Sequence, residues 1–500
     1  MTPPVRPGAS GVLSDAALGV LAWAVPLAVA LVTTPLIVAG LGPEGFAIYA
    51  WAAAAAAGVA ACAPTRGVLH LVARDADAPW RRRVAASALG LAVAIGLFGA
   101  AAVCLIAGPA VRVVRLPEGL AVTAVRVAAL GAVPGAVLAV SVGALQGLRR
   151  YFQAAVLTSV SAVVTAVVGA WMATHGLGVV ALVTGQTVVS LGVALAAIVV
   201  LRRALGPIGL RPDAVALRGM TSFGLATIAA QLIFAGWVIV ERTLVGRYLG
   251  ASALTAYAVA LVMWTHSSAA IASAVQVVSS LVSMPDQIEG RSRLARAYEG
   301  ATTVAAIAAV GFAALVAGSG ASALTFWIGP ALAAQVSSAM IPLALGLGLN
   351  GLAATAWFAN EAMGRPARNV LWAGVGLVLN AASLWLLAPG GDLSAAGVAR
   401  LVAVVTAPLF IAATERASAG RLTAPWRAVS AFVVPGGLLL FALLQGLAPL
   451  VTRSWLTFVP VVTGAAVAYL VAMWHLPVLT PHDRAALRRW LVRAIRAGRP

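Results

Sequence analysis

Five ionisable residues sit inside runs that are otherwise apolar or small: Arg66, Arg126, Glu241, Arg242 and Arg400. In a membrane-spanning segment, a charge costs about 3 kcal/mol at the bilayer centre unless it faces a wet cavity or a partner. Arg126 stands eight residues past Glu118, with roughly 12 Å of helix rise between them, too deep to reach water easily. Arg66 has two readings, a cavity role or snorkelling towards the headgroups along a kink at Pro64. Arg400, six residues after Ser394, fits either a cavity or the outer interface. Together Arg66, Arg126 and Arg400 form a candidate positive cavity for an anionic substrate, because a guanidinium matches phosphate geometry. Glu241 and Arg242 are consecutive and diverge by ~100° on a helix, so they cannot pair with each other. They are candidates for a gate or interlobe contact.

The elements that must hold these charges follow from composition. Of 500 residues, 62% are hydrophobic and 9% charged, with a mean hydropathy of +1.00. A soluble domain is nearer a quarter charged. The chain is an all-α polytopic membrane protein, with fourteen apolar spans delimited by charge or Gly/Pro clusters. The first six are 12–39, 46–73, 84–107, 119–145, 152–174 and 177–201; the next six are 219–248, 253–283, 299–318, 333–359, 367–388 and 394–414. A final pair, 426–448 and 455–476, has no counterpart in the first half.

All 33 basic residues are Arg. With the N-terminus in the cytoplasm, 25 fall in cytoplasmic tails and loops, four outside and four within spans, which predicts both termini inside. Dispersal in small clusters argues against nucleic acid despite the formal charge of +19. Cys62 and Cys104 lie in apolar runs and lack metal-ligand spacing. Residues 1–15 carry no cleavage signal, so the first span is expected to be retained. From Thr480, a cap followed by Leu487, Trp490, Leu491, Ala494 and Ile495 at helical spacing predicts a basic amphipathic helix on the cytoplasmic leaflet.

The chain repeats itself. Leu41-Gly42 with Tyr49 matches Leu249-Gly250 with Tyr257 at an offset of 208. Gln146-Gly-Leu-Arg-Arg150 echoes Met363-Gly-Arg-Pro-Ala-Arg368 at 217, and Gly178-Val-Val-Ala-Leu-Val183 echoes Gly397-Val-Ala-Arg-Leu-Val402 at 219. Six spans separate equivalent positions. Six is even, so the halves are parallel repeats about an axis along the membrane normal, with a substrate path between them. The divisions are 1–203 and 204–416 as six-helix lobes, 417–479 as helices thirteen and fourteen, and 480–500 as the basic amphipathic helix.

The Leu-Gly-x-x-x-x-x-x-Tyr turns, the Gln-Gly-Leu-Arg turn, Glu241-Arg242 and Gly364-Arg-Pro366 resemble the polysaccharide flippases of the multidrug/oligosaccharidyl-lipid/polysaccharide exporter superfamily, over about residues 20–415. The resemblance implies a two-lobed bundle around a central cavity, in the cytoplasmic membrane. It would move polyprenyl-diphosphate-linked oligosaccharide between leaflets by alternating access, so that Arg66, Arg126 and Arg400 would meet the diphosphate. Membrane lipids and polysaccharide polymerase machinery are the implied partners, and no cofactor is implied. One departure is Cys62-Ala-Pro-Thr-Arg-Gly67, where the family often carries Asp-Leu-Gly; this removes a carboxylate that would serve ion coupling.

Three rival readings follow. A drug exporter of the same superfamily needs embedded carboxylates, and only Glu241 and Glu361 approach that. A lipid II flippase fits equally well in span number and buried arginines. A polyprenyl-dependent glycosyltransferase needs a catalytic acid or base in a sizeable outer loop, whereas the longest predicted one, 319–332, has no Asp, Glu, His or Arg. With no Gly-x-x-x-x-Gly-Lys loop either, the chain reads as a transporter that is not an enzyme. Gln186, Gln231, Gln276, Asn350, Asn360, Asn380 and His266 suit sugar contacts or helix-to-helix hydrogen bonds, the latter favoured for each one singly. Trp23, Trp51, Trp237 and Trp264 suit stacking on sugar rings or packing towards lipid, the latter favoured, while Trp80, Trp171, Trp327, Trp426, Trp455 and Trp474 are expected to anchor at the interface.

Overall fold

A computed structural model describes residues 9–74, 77–209, 212–275, 288–418, 422–479 and 484–485. The predicted amphipathic helix of 480–500 lies almost wholly outside them, as does Gln276. Every regular element among the described residues is helical.

The first half comprises α1 (Ala9–Ala61), α2 (Thr65–Arg74), α3 (Ala78–Val114), α4 (Glu118–Gly147), α5 (Tyr151–Thr174) and α6 (Gly178–Leu205). The second comprises α7 (Ala214–Val275), α8 (Ile288–Ile328), α9 (Pro330–Ala362), α10 (Ala367–Leu387), α11 (Ser394–Val404) and α12 (Ala407–Ala417). The C-terminal hairpin is α13 (Trp426–Gly446) and α15 (Trp455–His475), joined by the short α14 (Ala448–Val451).

Among the described residues, twelve helices are long and apolar enough to cross a membrane, with α11 and α12 counted as one continuous span. Two of the twelve are bent double. At 53 residues α1 would run ~80 Å if straight, against a hydrocarbon core of about 30 Å. It breaks at Gly42 (φ 69°, ψ 173°), and α7 breaks at Gly250 (φ 89°, ψ 174°). A side chain rarely accepts that φ, which is why glycine stands at both positions. Each bent helix therefore supplies two crossings, giving the fourteen expected.

The same backbone geometry at an offset of 208 makes the repeat physical. The second repeated turn needs a correction. Leu148, Arg149 and Arg150 donate to the carbonyls of Ala144, Gln146 and Leu145, as Met363, Gly364 and Arg365 donate to those of Ala359, Glu361 and Asn360. Arg149 (φ 59°) and Gly364 (φ 68°) hold the left-handed position in each. By this geometry the offset is 215, not the 217 read from letters, and Gln146 corresponds to Glu361.

Two spans also differ from expectation. The predicted second span, 46–73, is discontinuous, because Cys62–Pro64 interrupt the helix between α1 and α2. Pro64 has no amide to donate and disfavours helix at the residue before it. The predicted outer loop 319–332 is helical up to Ile328 and resumes at Pro330, with only Gly329 (φ 88°) between.

The lobes meet mainly through the bent helices. Phe46, Ile48 and Trp51 of α1 share one buried core with Val245, Leu254 and Tyr257 of α7. The C-terminal hairpin packs outside this core on α8, where the Tyr469 hydroxyl donates to the Ile307 carbonyl at 3.0 Å.

Candidate functional site

At the end of the bundle that carries the Arg-bearing turns, the lobes part around a cavity of about 460 Å³. Its wall includes Arg66 of α2, Gln146 of α4, Thr158 of α5, and Thr227 and Gln231 of α7, so both lobes contribute. The break at Cys62–Pro64 lies on the same wall, which aims the N-terminus of the ten-residue α2 at the cavity. First-turn amides have no intrahelical acceptor and carry partial positive charge. The Arg66 guanidinium adds a full one.

Close backbone contacts hold α2 in this position. A Cβ on Gly143 would lie 2.7 Å from the Thr65 carbonyl oxygen, and one on Gly147 2.8 Å from that of Leu69. The glycines of α4 therefore let the half-helix seat directly on its neighbour. Glu361 of α9, in the other lobe, lies within electrostatic range of Arg66 and accepts a 3.0 Å hydrogen bond from Trp357 Nε1.

Arg400 is placed elsewhere. Its Nη1 lies 2.8 Å from Glu241 Oε2, with both side chains buried. Asn380 Nδ2 donates to the other carboxylate oxygen at 3.1 Å. Arg400 also stacks over Trp264 at 4.6 Å and Trp237 at 5.8 Å, while Tyr257 faces the pair. All these residues belong to the second half, so Arg400 is neutralised within one lobe and brings no free charge to the cavity beside Arg66.

Glu241 and Arg242 do part company, as their divergence on a helix requires. Arg242 donates across the lobe boundary to the Ala50 carbonyl. Beside it Trp51 Nε1 donates to Thr243 Oγ1 at 3.0 Å, and Thr255 donates to the Pro43 carbonyl. These contacts lie away from the cavity, where the lobes are shut.

Arg126 is exposed, on the stripe of α4 shared with Thr123 and Leu130. Gly135 faces the cavity nine residues later, about 180° around the helix. The structure therefore brings Arg66 to the cavity and Arg242 to the lobe interface, pairs Arg400 with Glu241, and turns Arg126 outward.

Several polar residues fall into helix-to-helix roles. Gln186 Nε2 donates to the Tyr49 hydroxyl at 3.2 Å, and Asn360 Nδ2 to Asn369 at 3.1 Å and Thr414 at 3.0 Å. Trp51, Trp237 and Trp264 are buried, not lipid-facing; each packs against a charge or polar contact the sequence did not reveal. The side chain of Trp23 lies outside the described residues. Glu415, which drew no attention in the sequence, accepts from Tyr298, the Ala424 amide and Trp426, each at 3.2 Å, and so ties α8 and the C-terminal hairpin to α12. Its only signal was a carboxylate in a sequence with few.

Three comparisons place this geometry among known proteins. A family model described as polysaccharide biosynthesis protein matches residues 41–329, more than half of the chain. No curated protein matches. Among solved structures, a lipid II flippase MurJ in an inward closed conformation superposes with a TM-score of 0.70 at 12% identity, covering 91% of this chain and 97% of that one. An inward-facing multidrug transporter of the MATE family, of the MOP superfamily, gives 0.64 at 16% identity, covering 81% and 98%. A MOP superfamily transporter from Pyrococcus furiosus, described as having a binding pocket of reversed polarity, gives 0.55 at 16%, covering 82% and 96%.

Proposed function

Because the chain belongs to the polysaccharide biosynthesis protein family of MOP-superfamily flippases, we propose that it carries a polyprenyl-diphosphate-linked oligosaccharide across the cytoplasmic membrane for cell-surface polysaccharide synthesis. The observation that carries this reading is the interlobe cavity, in which Arg66 stands at the positive end of a broken helix. A diphosphate entering from the Arg-rich, cytoplasmic side meets a guanidinium and the positive end of α2, the way broken membrane helices receive anionic groups. Gln146, Thr158, Thr227 and Gln231 offer the donors and acceptors that sugar hydroxyls require.

Export then needs the shut end to open. Rocking of the lobes separates Arg242 from Ala50 and Trp51 from Thr243 while closing the cavity and bringing Glu361 towards Arg66. Glu361 is the counter-charge that takes over Arg66 once the diphosphate has left. The Glu241–Arg400 pair stays within its lobe throughout and keeps that lobe a rigid body.

A second reading, transport of lipid II, is favoured by one observation. The lipid II flippase covers 91% of the chain, whereas the multidrug transporter covers 81%. Leaflet-specific labelling of lipid-linked oligosaccharide in proteoliposomes tests both. Transfer of the oligosaccharide by the wild type, with a rate lowered about tenfold in Arg66→Gln, supports the proposal. Transfer of lipid II but not of any other polyprenyl-diphosphate oligosaccharide moves the assignment to the peptidoglycan branch.

A further inference from the structure

Arg126 presents a problem that the cavity does not solve. It lies on α4 roughly 12 Å of helix rise past Glu118, within a span, yet its side chain is exposed on the face turned away from the cavity. Among the described residues its guanidinium has no hydrogen-bonded or ion-paired partner. The Cys104 thiol of α3 lies 3.9 Å from its backbone carbonyl, which places Arg126 beside α3. There Phe98 is 78% exposed and Leu105 81%, and on α4 itself Leu130 is 57% exposed. In a membrane protein, such a surface faces acyl chains. A bare guanidinium on it is unfavourable unless an anion from the bilayer comes to meet it.

The charges at the nearby helix ends select that anion. Arg112 and Glu118 lie 3.9 Å apart, so the acid at this corner already has its own partner. Arg115 caps α3 in the left-handed conformation. The end of α3 and the first turns of α4 carry three arginines, 112, 115 and 126, and one glutamate, for a net charge of 3 − 1 = +2. A helical side chain tilts towards the N-terminus of its helix, so Arg126 leans towards this corner and draws an anionic headgroup down to meet it. The planar fork takes two phosphate oxygens at once.

We propose that the outer surface of α3 and α4 is a lateral binding site for one anionic phospholipid, whose phosphodiester is held by Arg126 with Arg112 and Arg115 above it. The acyl chains lie against Phe98, Leu105 and Leu130. This site depends on the chain being embedded in a bilayer and not on which substrate the cavity takes.

Native mass spectrometry of the full chain released from nanodiscs of mixed phosphatidylglycerol and phosphatidylcholine tests the site. The wild type should retain one phosphatidylglycerol, with occupancy about tenfold lower in Arg126→Gln and intermediate in Arg126→Lys. Arg66→Gln should retain the lipid fully. A polyprenyl diphosphate added in equimolar amount should leave it in place. Equal retention by wild type and Arg126→Gln overturns the proposal. So does displacement by the polyprenyl diphosphate, since the surface would then belong to the substrate's path.

Discussion

Arg400 Nη1 lies 2.8 Å from Glu241 Oε2, and the two residues stand 159 positions apart in a lobe whose interior excludes both from water. Removing one partner strands the other. Glu241→Gln is expected to destabilise the chain by about 3–5 kcal/mol, because an unpaired buried charge remains, while Glu241→Gln combined with Arg400→Gln costs less than the two single changes summed. Thermal unfolding in detergent, run as a double-mutant cycle, checks the coupling. Additive effects would show that the pair does not hold the lobe together.

The shut end rests on one charge-assisted contact, from Arg242 to the Ala50 carbonyl, and on neutral ones that are individually weak. Trp51→Phe removes the indole donor to Thr243 and keeps the ring packed. A hydrogen bond of about 1 kcal/mol shifts a two-state equilibrium roughly fivefold, so the variant should populate the state open at this end about five times more. Spin-label distances between α1 and α7 in liposomes read that ratio. An unchanged distribution would mean that the contact persists in both states.

Symmetry was legible in the letters because glycine is conspicuous among apolar residues. Leu41-Gly42 and Leu249-Gly250 gave away both the repeat and its offset, and the backbone bends at those two glycines. Span number was legible too, since a membrane imposes one length on every crossing. The direction in which each buried charge points was not. Arg66 and Arg126 look alike as letters, yet one lines the cavity and the other faces outward, because helix phase is set by neighbours that an apolar sequence does not specify. A hydrophobic periodicity that would mark one face in a soluble helix is missing where lipid and core are both apolar. The Glu241–Arg400 pair was hidden by 159 residues of separation.

Replacing either hinge glycine tests whether the two bends are equivalent. Gly42→Ala and Gly250→Ala each force a Cβ into φ of 69° and 89°, although open space surrounds both positions. With ψ near 174° both lie in a region that only glycine adopts readily, so the cost is conformational, about 1–3 kcal/mol for each, and similar in the two lobes. Chemical unfolding of the two variants measures it. A much larger loss at one bend would show that one lobe depends on its bend for packing and the other does not.

Opposed substitutions at the cavity separate binding from architecture. Arg66→Gln removes the guanidinium and should weaken binding of a soluble polyprenyl-diphosphate analogue about tenfold. Glu361→Gln removes the carboxylate that competes for Arg66 and should strengthen it, because the incoming diphosphate no longer displaces a counter-charge. Trp357 donates to Glu361, so the ligand-induced fluorescence change of the wild type minus that of a Trp357→Phe variant isolates this indole among the fourteen tryptophans and reports occupancy. The same two changes should diverge in transport. Tighter binding in Glu361→Gln slows release if Glu361 reclaims Arg66 on the outward stroke, so its export rate should fall although its affinity rises. Parallel gains in affinity and export would leave Glu361 a spectator.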